Sequence, residues 1–299
     1  MNNDPIQLQN VWRSYKDGPA VVHDLNLSVK KGSIYGFLGR NGSGKTTTLR
    51  MLAGLTRPDA GEVRVLGWDP YFAGAEARQE IGYMAEKGMI PPDLKVGALL
   101  KLGRALYPKW DIPLVDSLVS KYNLLPHHSF KSLSEGRRQL LAFLMAIAPR
   151  PKVLLLDEPA AHLDLVARRE ILDLILDLIL ESGSTVLFST HLLSDIERVA
   201  DEIGILAEGN MRISEPLDIL KDSIRQVRFF GFKEELPEED LPESFRTLRS
   251  QNELTVTFRI SPHCTPETVA ERWSCRYETR HLSLEDIFVE LTHLSSTYE

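Results

Sequence analysis

Cysteine is nearly absent. Cys264 and Cys275 are the only two in 299 residues, and neither sits in a C-x-x-C pair or beside metal-spaced histidines. That excludes a disulfide scaffold or zinc ribbon and points to free thiols in a reducing compartment. Long apolar runs are missing too. The strongest, Ile171 to Leu180, is short and broken by Asp173 and Asp177, whereas a membrane-crossing helix needs about 20 apolar residues. Excess positive charge is also lacking: the formal net charge is -7, which argues against a broad nucleic-acid surface. The opening MNNDPIQLQN has no basic-then-apolar leader pattern, so a cytoplasmic chain is expected. What remains is ordinary for a globular enzyme, 43% hydrophobic and 26% charged, in a chain long enough for two domains.

Against that plain background one motif stands out. Gly39-Arg-Asn-Gly-Ser-Gly-Lys-Thr46 is an unbroken G-x-x-x-x-G-K-[ST] loop. It follows the apolar run Ile34, Tyr35, Phe37, Leu38 and leads into the helix-like Thr47, Leu49, Met51, Leu52. Backbone N–H groups of such a turn at a helix N-terminus form an anion cradle. The motif predicts that Gly39, Asn41, Gly42, Ser43, Gly44 and Thr47 surround the phosphates of a nucleoside triphosphate. Lys45 would reach the outer phosphates, and the Thr46 hydroxyl would hold Mg²⁺.

Lys152-Val-Leu-Leu-Leu-Asp157-Glu158-Pro159 reads as a buried strand ending in two carboxylates. Ligands of open parallel sheets sit at the carboxyl ends of strands. Adjacent side chains of an extended strand point opposite ways, so Asp157 is expected to face the metal and Glu158 the attacking water, as general base. A second apolar strand, Thr185 to Thr190, ends at His191, a fitting sensor of the γ-phosphate.

Leu133-Ser134-Glu135-Gly136-Arg137 opens another helix, with Ser134 as N-cap and Gly136 permitting close backbone approach. This element resembles the LSGGQ signature of ATP-binding cassette (ABC) ATPases, and it stands just before the Asp157 strand, as theirs does. Residues 5 to 215 carry the whole motif set in the family's order. By that resemblance Tyr15 is the aromatic that stacks on adenine, Glu86 stands at the Q-loop glutamine and contributes to the metal site, Ala161-His162-Leu163-Asp164 is the D-loop, and His191 is the switch histidine. Three positions depart from the pattern: Glu86 replaces a neutral amide, Glu135 a glycine and Arg137 a glutamine. An added anion at Glu86 makes the site more dependent on Mg²⁺, while Arg137 can offset the acid at Glu135.

The expected fold is therefore α/β. A RecA-like P-loop nucleotide-binding domain over 1–220, with an antiparallel β subdomain and a helical subdomain at about 90–148, is followed by a small α+β domain over 221–299. In the latter, Gln226 to Phe232 alternates like a strand, Glu234 to Glu243 reads as an acidic solvated loop, and Thr247 to Ile260 reads as a hairpin around Gln251-Asn252. Pro266 to Trp273 reads as helical, and Leu284, Ile287, Phe288 and Leu291 share one face of a closing helix. This ending resembles the C-terminal extension of bacterial export-type ABC ATPases. Dimer support, regulation and structural capping stay open for it.

The resemblance implies an ATP- and Mg²⁺-dependent ATPase working as a head-to-tail homodimer. Ser134 and Gly136 of one copy would close over ATP held by the other. Integral membrane permease subunits on separate chains would bind it at the cytoplasmic face of a bacterial membrane, with no nucleic acid involved. A soluble ABC ATPase outside transport and a non-hydrolysing binding module stay open alternatives.

Overall fold

The computed structural model describes residues 4–15, 18–87, 90–232, 241 and 244–292. The chain divides into two compact units, Met1–Ser214 and Glu215–Glu299. The strands of the first are β1 (Ile6–Ser14), β2 (Ala20–Val29), β3 (Ile34–Gly39), β4 (Ala60–Val65), β5 (Ile81–Met84), β6 (Val153–Asp157), β7 (Thr185–Thr190), β8 (Glu202–Ala207) and β9 (Asn210–Pro216). Its helices are α1 (Lys45–Leu52), α2 (Ala75–Gln79), α3 (Val96–Leu106), α4 (Ile112–Lys121), α5 (Glu135–Ile147), α6 (Leu165–Ser182) and α7 (Leu193–Val199).

Hydrophobic pattern decides which strands go where. β3, β6 and β7 are buried at every position, as strands covered on both faces must be. They lie in the middle of a six-stranded sheet ordered β5-β6-β7-β3-β8-β9, parallel from β5 through β8. β1 and β2 alternate instead, and they pair antiparallel with β4 in a separate sheet ordered β2-β1-β4. Between them a core is filled by Ile6, Val11, Leu25, Tyr35, Phe37, Leu49 and their neighbours. α3, α4 and α5 supply the helical part. Among the described residues, no helix is long and apolar enough to cross a membrane.

Register places the chemistry. Asp157 stands beside Ser189, and Leu38 beside Thr190, so the ends of β3, β6 and β7 arrive at one edge. α5 is drawn close to the sheet at Gly82, where a Cβ would stand 2.4 Å from the Ala146 carbonyl. α7 covers β3 through Ile196, which occupies the space a Cβ on Gly36 would need.

The second unit holds α8 (Leu217–Ser223), β10 (Ile224–Phe230), β11 (Ser244–Ser250), β12 (Glu253–Arg259), α9 (Pro266–Arg272), β13 (Arg276–His281) and α10 (Leu284–Thr292). Its antiparallel sheet is ordered β11-β12-β10-β13. The inward residues Val227, Phe229, Leu254, Val256 and Phe258 meet Val269 and Ala270 of α9. Residues 215–220, the end of β9 and the first turn of α8, group with this unit. A reason lies in Glu215, whose carboxylate accepts from both terminal nitrogens of Arg259 at 2.7 and 2.9 Å, a bidentate pair. The acidic stretch 234–243 lies outside the described residues except for Leu241, which joins the core of this unit.

Candidate active site

The two ends of the phosphate loop, Gly39 and Gly44, are shaped by contacts that leave no room for a side chain. β3 ends at Gly39, and α1 starts with Gly44 as its N-cap, at φ 106°. A Cβ there would meet the Val21 carbonyl at 2.8 Å, so both backbone angle and space require glycine. Lys45 is buried and donates from Nζ to the carbonyls of Gly39 at 2.6 Å and Arg40 at 3.3 Å. Burial lowers its pKa, opposed by the charges of Glu158, Asp157 and Glu86. Asn41, Gly42 and Thr46 are exposed, Ser43 and Thr47 buried. The Ser43 hydroxyl is buried without a hydrogen-bond partner, a cost that an incoming phosphate oxygen or its water would remove. Tyr15 is 41% exposed, with its hydroxyl 3.5 Å from Thr47 Oγ1 and the Arg13 guanidinium over its ring.

Across the sheet edge, Asp157 and Glu158 depart from the expected alternation. β6 ends at Asp157, and Glu158 is already left-handed, at φ 51°. The two carboxylates diverge because the chain turns, not because an extended strand alternates. Asp157 Oδ1 accepts from Ser189 Oγ at 2.7 Å, while Oδ2 is buried and unpartnered. A buried carboxylate oxygen without a partner is what a cation site offers, and Thr46 supplies an exposed hydroxyl beside the same loop.

Glu158 is buried, whereas His191 is half exposed. His191 Nδ1 lies 2.9 Å from Glu158 Oε2. Burial raises the Glu158 pKa, opposed chiefly by His191 and Lys45. The Glu158 N–H donates to the Ser189 carbonyl at 3.1 Å, and its own carbonyl accepts from the side chain of Gln139 at 2.6 Å. Sequence reasoning missed both Ser189 and Gln139. Their signal was a polar residue inside an otherwise apolar strand or helix face.

Ser134 caps α5, accepting from Arg137 N. With Gly136, Leu163 and Asp164 it lines a groove of about 650 Å³. None of residues 39–47 lines that groove among the described residues. Glu135 is turned toward its own D-loop, with Oε1 3.6 Å from His162 Nε2. Asp164 caps α6 through the N–H groups of Val166 and Ala167 at 2.9 and 3.0 Å. Arg168, one turn on, donates to Asp195 of α7 at 2.6 Å, tying the D-loop helix to the helix after His191. Glu86 pairs with Lys87 at 3.3 Å and borders a cavity of about 280 Å³ shared with Glu135, Arg138 and His162.

The family profile described as ABC transporter matches residues 22–161. The chain is 33% identical to the ABC transporter ATP-binding protein YtrB of Bacillus subtilis (strain 168), over 75% of this chain and 76% of that protein. It is 31% identical to the Nod factor export ATP-binding protein I of Burkholderia orbicola (strain AU 1054), over 98% of each. Among solved structures, a dimeric ATP-binding cassette in a post-hydrolysis state bound to ADP and Pi aligns at TM-score 0.63 and 25% identity, covering 71% of this chain and 98% of that one. A phosphate loop, an acidic strand end and a histidine-tipped strand meeting at one sheet edge, with full-length relatives of the same kind, make this chain a member of the ABC transporter ATP-binding proteins, an ATPase of that family.

Proposed function

We propose that this chain hydrolyses ATP to power export through membrane-spanning subunits carried on separate chains, from the cytoplasmic face of the membrane. The observation that carries the reading is Glu158: a buried carboxylate with a raised pKa, contacted by His191 and close enough to Lys45 to affect its charge. A relative named for export of Nod factor supports the direction, and one named for bacitracin transport supports the transporter role.

In the proposed mechanism the loop Gly39–Thr47 receives the phosphates through backbone N–H groups, and Tyr15 takes the adenine on its open side. Lys45 leaves the Gly39 and Arg40 carbonyls for the outer phosphates. Mg²⁺, when bound, would neutralise phosphate charge and would be held by Thr46 and the free oxygen of Asp157, with Glu86 acting on it by charge. Glu158 accepts the proton of the attacking water, and a raised pKa suits a base working near neutrality. His191 keeps that carboxylate aimed and stabilises the charge that develops on the transferred group. A second copy, head to tail, brings Ser134 and Gly136 to the γ-phosphate. Closure and reopening then bias the membrane partner between its conformations.

Phosphate release from ATP by the purified chain, compared with Lys45→Ala and Glu158→Gln, tests the chemistry. Light scattering on Glu158→Gln protein tests the dimer: mass should double on adding ATP, and a nucleotide-independent mass would sink ATP-driven closure. Isolation from detergent-solubilised membranes should recover an apolar partner chain, whereas recovery in a soluble complex would support a role outside transport.

A further inference from the structure

We infer that Gln139 is the positioning residue for Glu158, and that it ties the carboxylate to the start of the signature helix and to the D-loop at once. The inference rests on the reading of Glu158 as the base. Gln139 sits one turn into α5 and is buried at 8% exposure. Its Nε2 donates to the Glu158 carbonyl at 2.6 Å, and its Oε1 accepts from the His162 N–H at 3.1 Å. Both backbone groups belong to the segment between β6 and α6, and both are fixed by one rigid side-chain plane.

The chemistry dictates the residue type. A backbone carbonyl needs a donor and a backbone N–H needs an acceptor, and a primary amide offers one of each at a fixed separation. An ionised carboxylate accepts only, an ammonium donates only, and a leucine of similar size would remove the short donor to the buried Glu158 carbonyl and the side-chain acceptor of the part-buried His162 N–H. The geometry also settles which way round the amide lies, since the reverse orientation sets carbonyl against carbonyl and N–H against N–H.

Glu158 needs such a clamp. A non-glycine residue at φ 51° is in a sparsely populated region, and it persists only when its surroundings hold it there. On one side its N–H donates to the Ser189 carbonyl at 3.1 Å. On the other, its carbonyl is held by Gln139, supported by the Ala161 N–H at a longer 3.4 Å. Release of the Gln139 bond frees the carbonyl side of the turn, and the carboxylate swings with it away from His191. Because Gln139 lies on the helix that Ser134 caps, a shift of α5 is passed to the Glu158 backbone through a single hydrogen bond. The signature helix thereby reports its position to the base of its own chain.

The test uses the full chain and three variants, reading kcat, KM for ATP and the pH profile. Gln139→Ala should lower kcat by about tenfold while leaving KM within about twofold, since positioning acts on the transition state and not on ATP binding. Gln139→Glu keeps shape and the acceptor to His162 but, when ionised, loses the donor. Its rate relative to wild type should be low at alkaline pH and climb as pH falls, because the protonated carboxyl donates to the Glu158 carbonyl again. Charge repulsion alone predicts the reverse, as an added anion would move the acid limb of Glu158 to higher pH. A relative rate that is flat or falls with falling pH, or both variants within about twofold of wild-type kcat, overturns the inference. Glu158→Gln, with Gln139 intact, reads the base assignment separately: its failure to slow turnover overturns that reading and this inference with it. Should Gln139→Ala not fold, as seen by circular dichroism, the shape-matched Gln139→Glu decides alone.

Discussion

His191 Nδ1 lies 2.9 Å from Glu158 Oε2, and the two side chains differ sharply in setting: the carboxylate is 9% exposed and the imidazole 53%. Burial pushes the Glu158 pKa up and His191 pulls it back. A general base must be ionised, so on the role proposed for Glu158 activity is lost as pH falls through its raised pKa. With His191→Ala, burial acts with less opposition and that pKa rises further. The acid limb of kcat/KM should therefore move to higher pH, together with a roughly 10- to 10³-fold fall in plateau kcat. An unmoved acid limb would separate His191 from the Glu158 titration.

Glu158→Gln should retain ATP binding while turnover falls by roughly 10²–10⁴-fold, measured as single-turnover phosphate release. It should also stabilise the fold. A carboxyl whose folded pKa is raised gives its full stability below its unfolded pKa, near the ordinary 4.5, and loses it as pH rises through the folded pKa. At neutral pH the wild type bears that cost and the amide does not. Thermal unfolding should show a higher midpoint for the variant at pH 7.5, with the gap closing in acid.

Glu86→Gln should loosen the dependence of ATP binding on Mg²⁺. Its anion acts on Lys45, so its charge reaches the phosphate site and is tolerated there chiefly when a cation offsets it. Nucleotide affinity titrated against Mg²⁺ for both proteins is the measurement. Superimposable titrations would place Glu86, already paired with Lys87 at 3.3 Å, outside the metal's influence.

Gly82→Ala should cost about 1–3 kcal/mol, since the added methyl meets a backbone carbonyl, Ala146 O at 2.4 Å, that cannot rotate away. Because that carbonyl is on α5, ATP-driven dimerisation should weaken along with the chemical-denaturation midpoint. Unchanged stability would mean that α5 moves off the sheet freely.

What the sequence made legible was contiguous. The loop Gly39–Thr46, the strand ending at Asp157 and the strand ending before His191 each carry their chemistry within a few adjacent residues, and the apolar pattern alone assigns β3, β6 and β7 to a covered sheet. What escaped was set by side-chain direction or by backbone angle. Gln139 meets Glu158 across 19 positions, and nothing in a Gln beside Leu140 announces which carbonyl it will find. Glu158 was expected to continue the strand, but its left-handed angle depends on bonds to Ser189 and Gln139, which lie elsewhere in the chain. β13 was not expected because Arg276-Tyr-Glu-Thr-Arg-His281 is largely exposed on a sheet edge, and charged edge strands lack a clear apolar alternation.

The order β7-β3-β8 has a consequence for biosynthesis. β3 carries the phosphate loop, yet both its sheet neighbours begin at Thr185 or later. While the ribosome adds the residues between Gly39 and Thr185, the apolar ribbon Ile34, Tyr35, Phe37, Leu38 waits without a partner on either side, in a topology whose long-range pairing is slow. The sheet positions on both sides of the phosphate-loop strand are therefore filled only once β8 has left the exit tunnel. Until then that ribbon is a target for holding chaperones, and a ribosome stalled anywhere in this interval presents it uncovered.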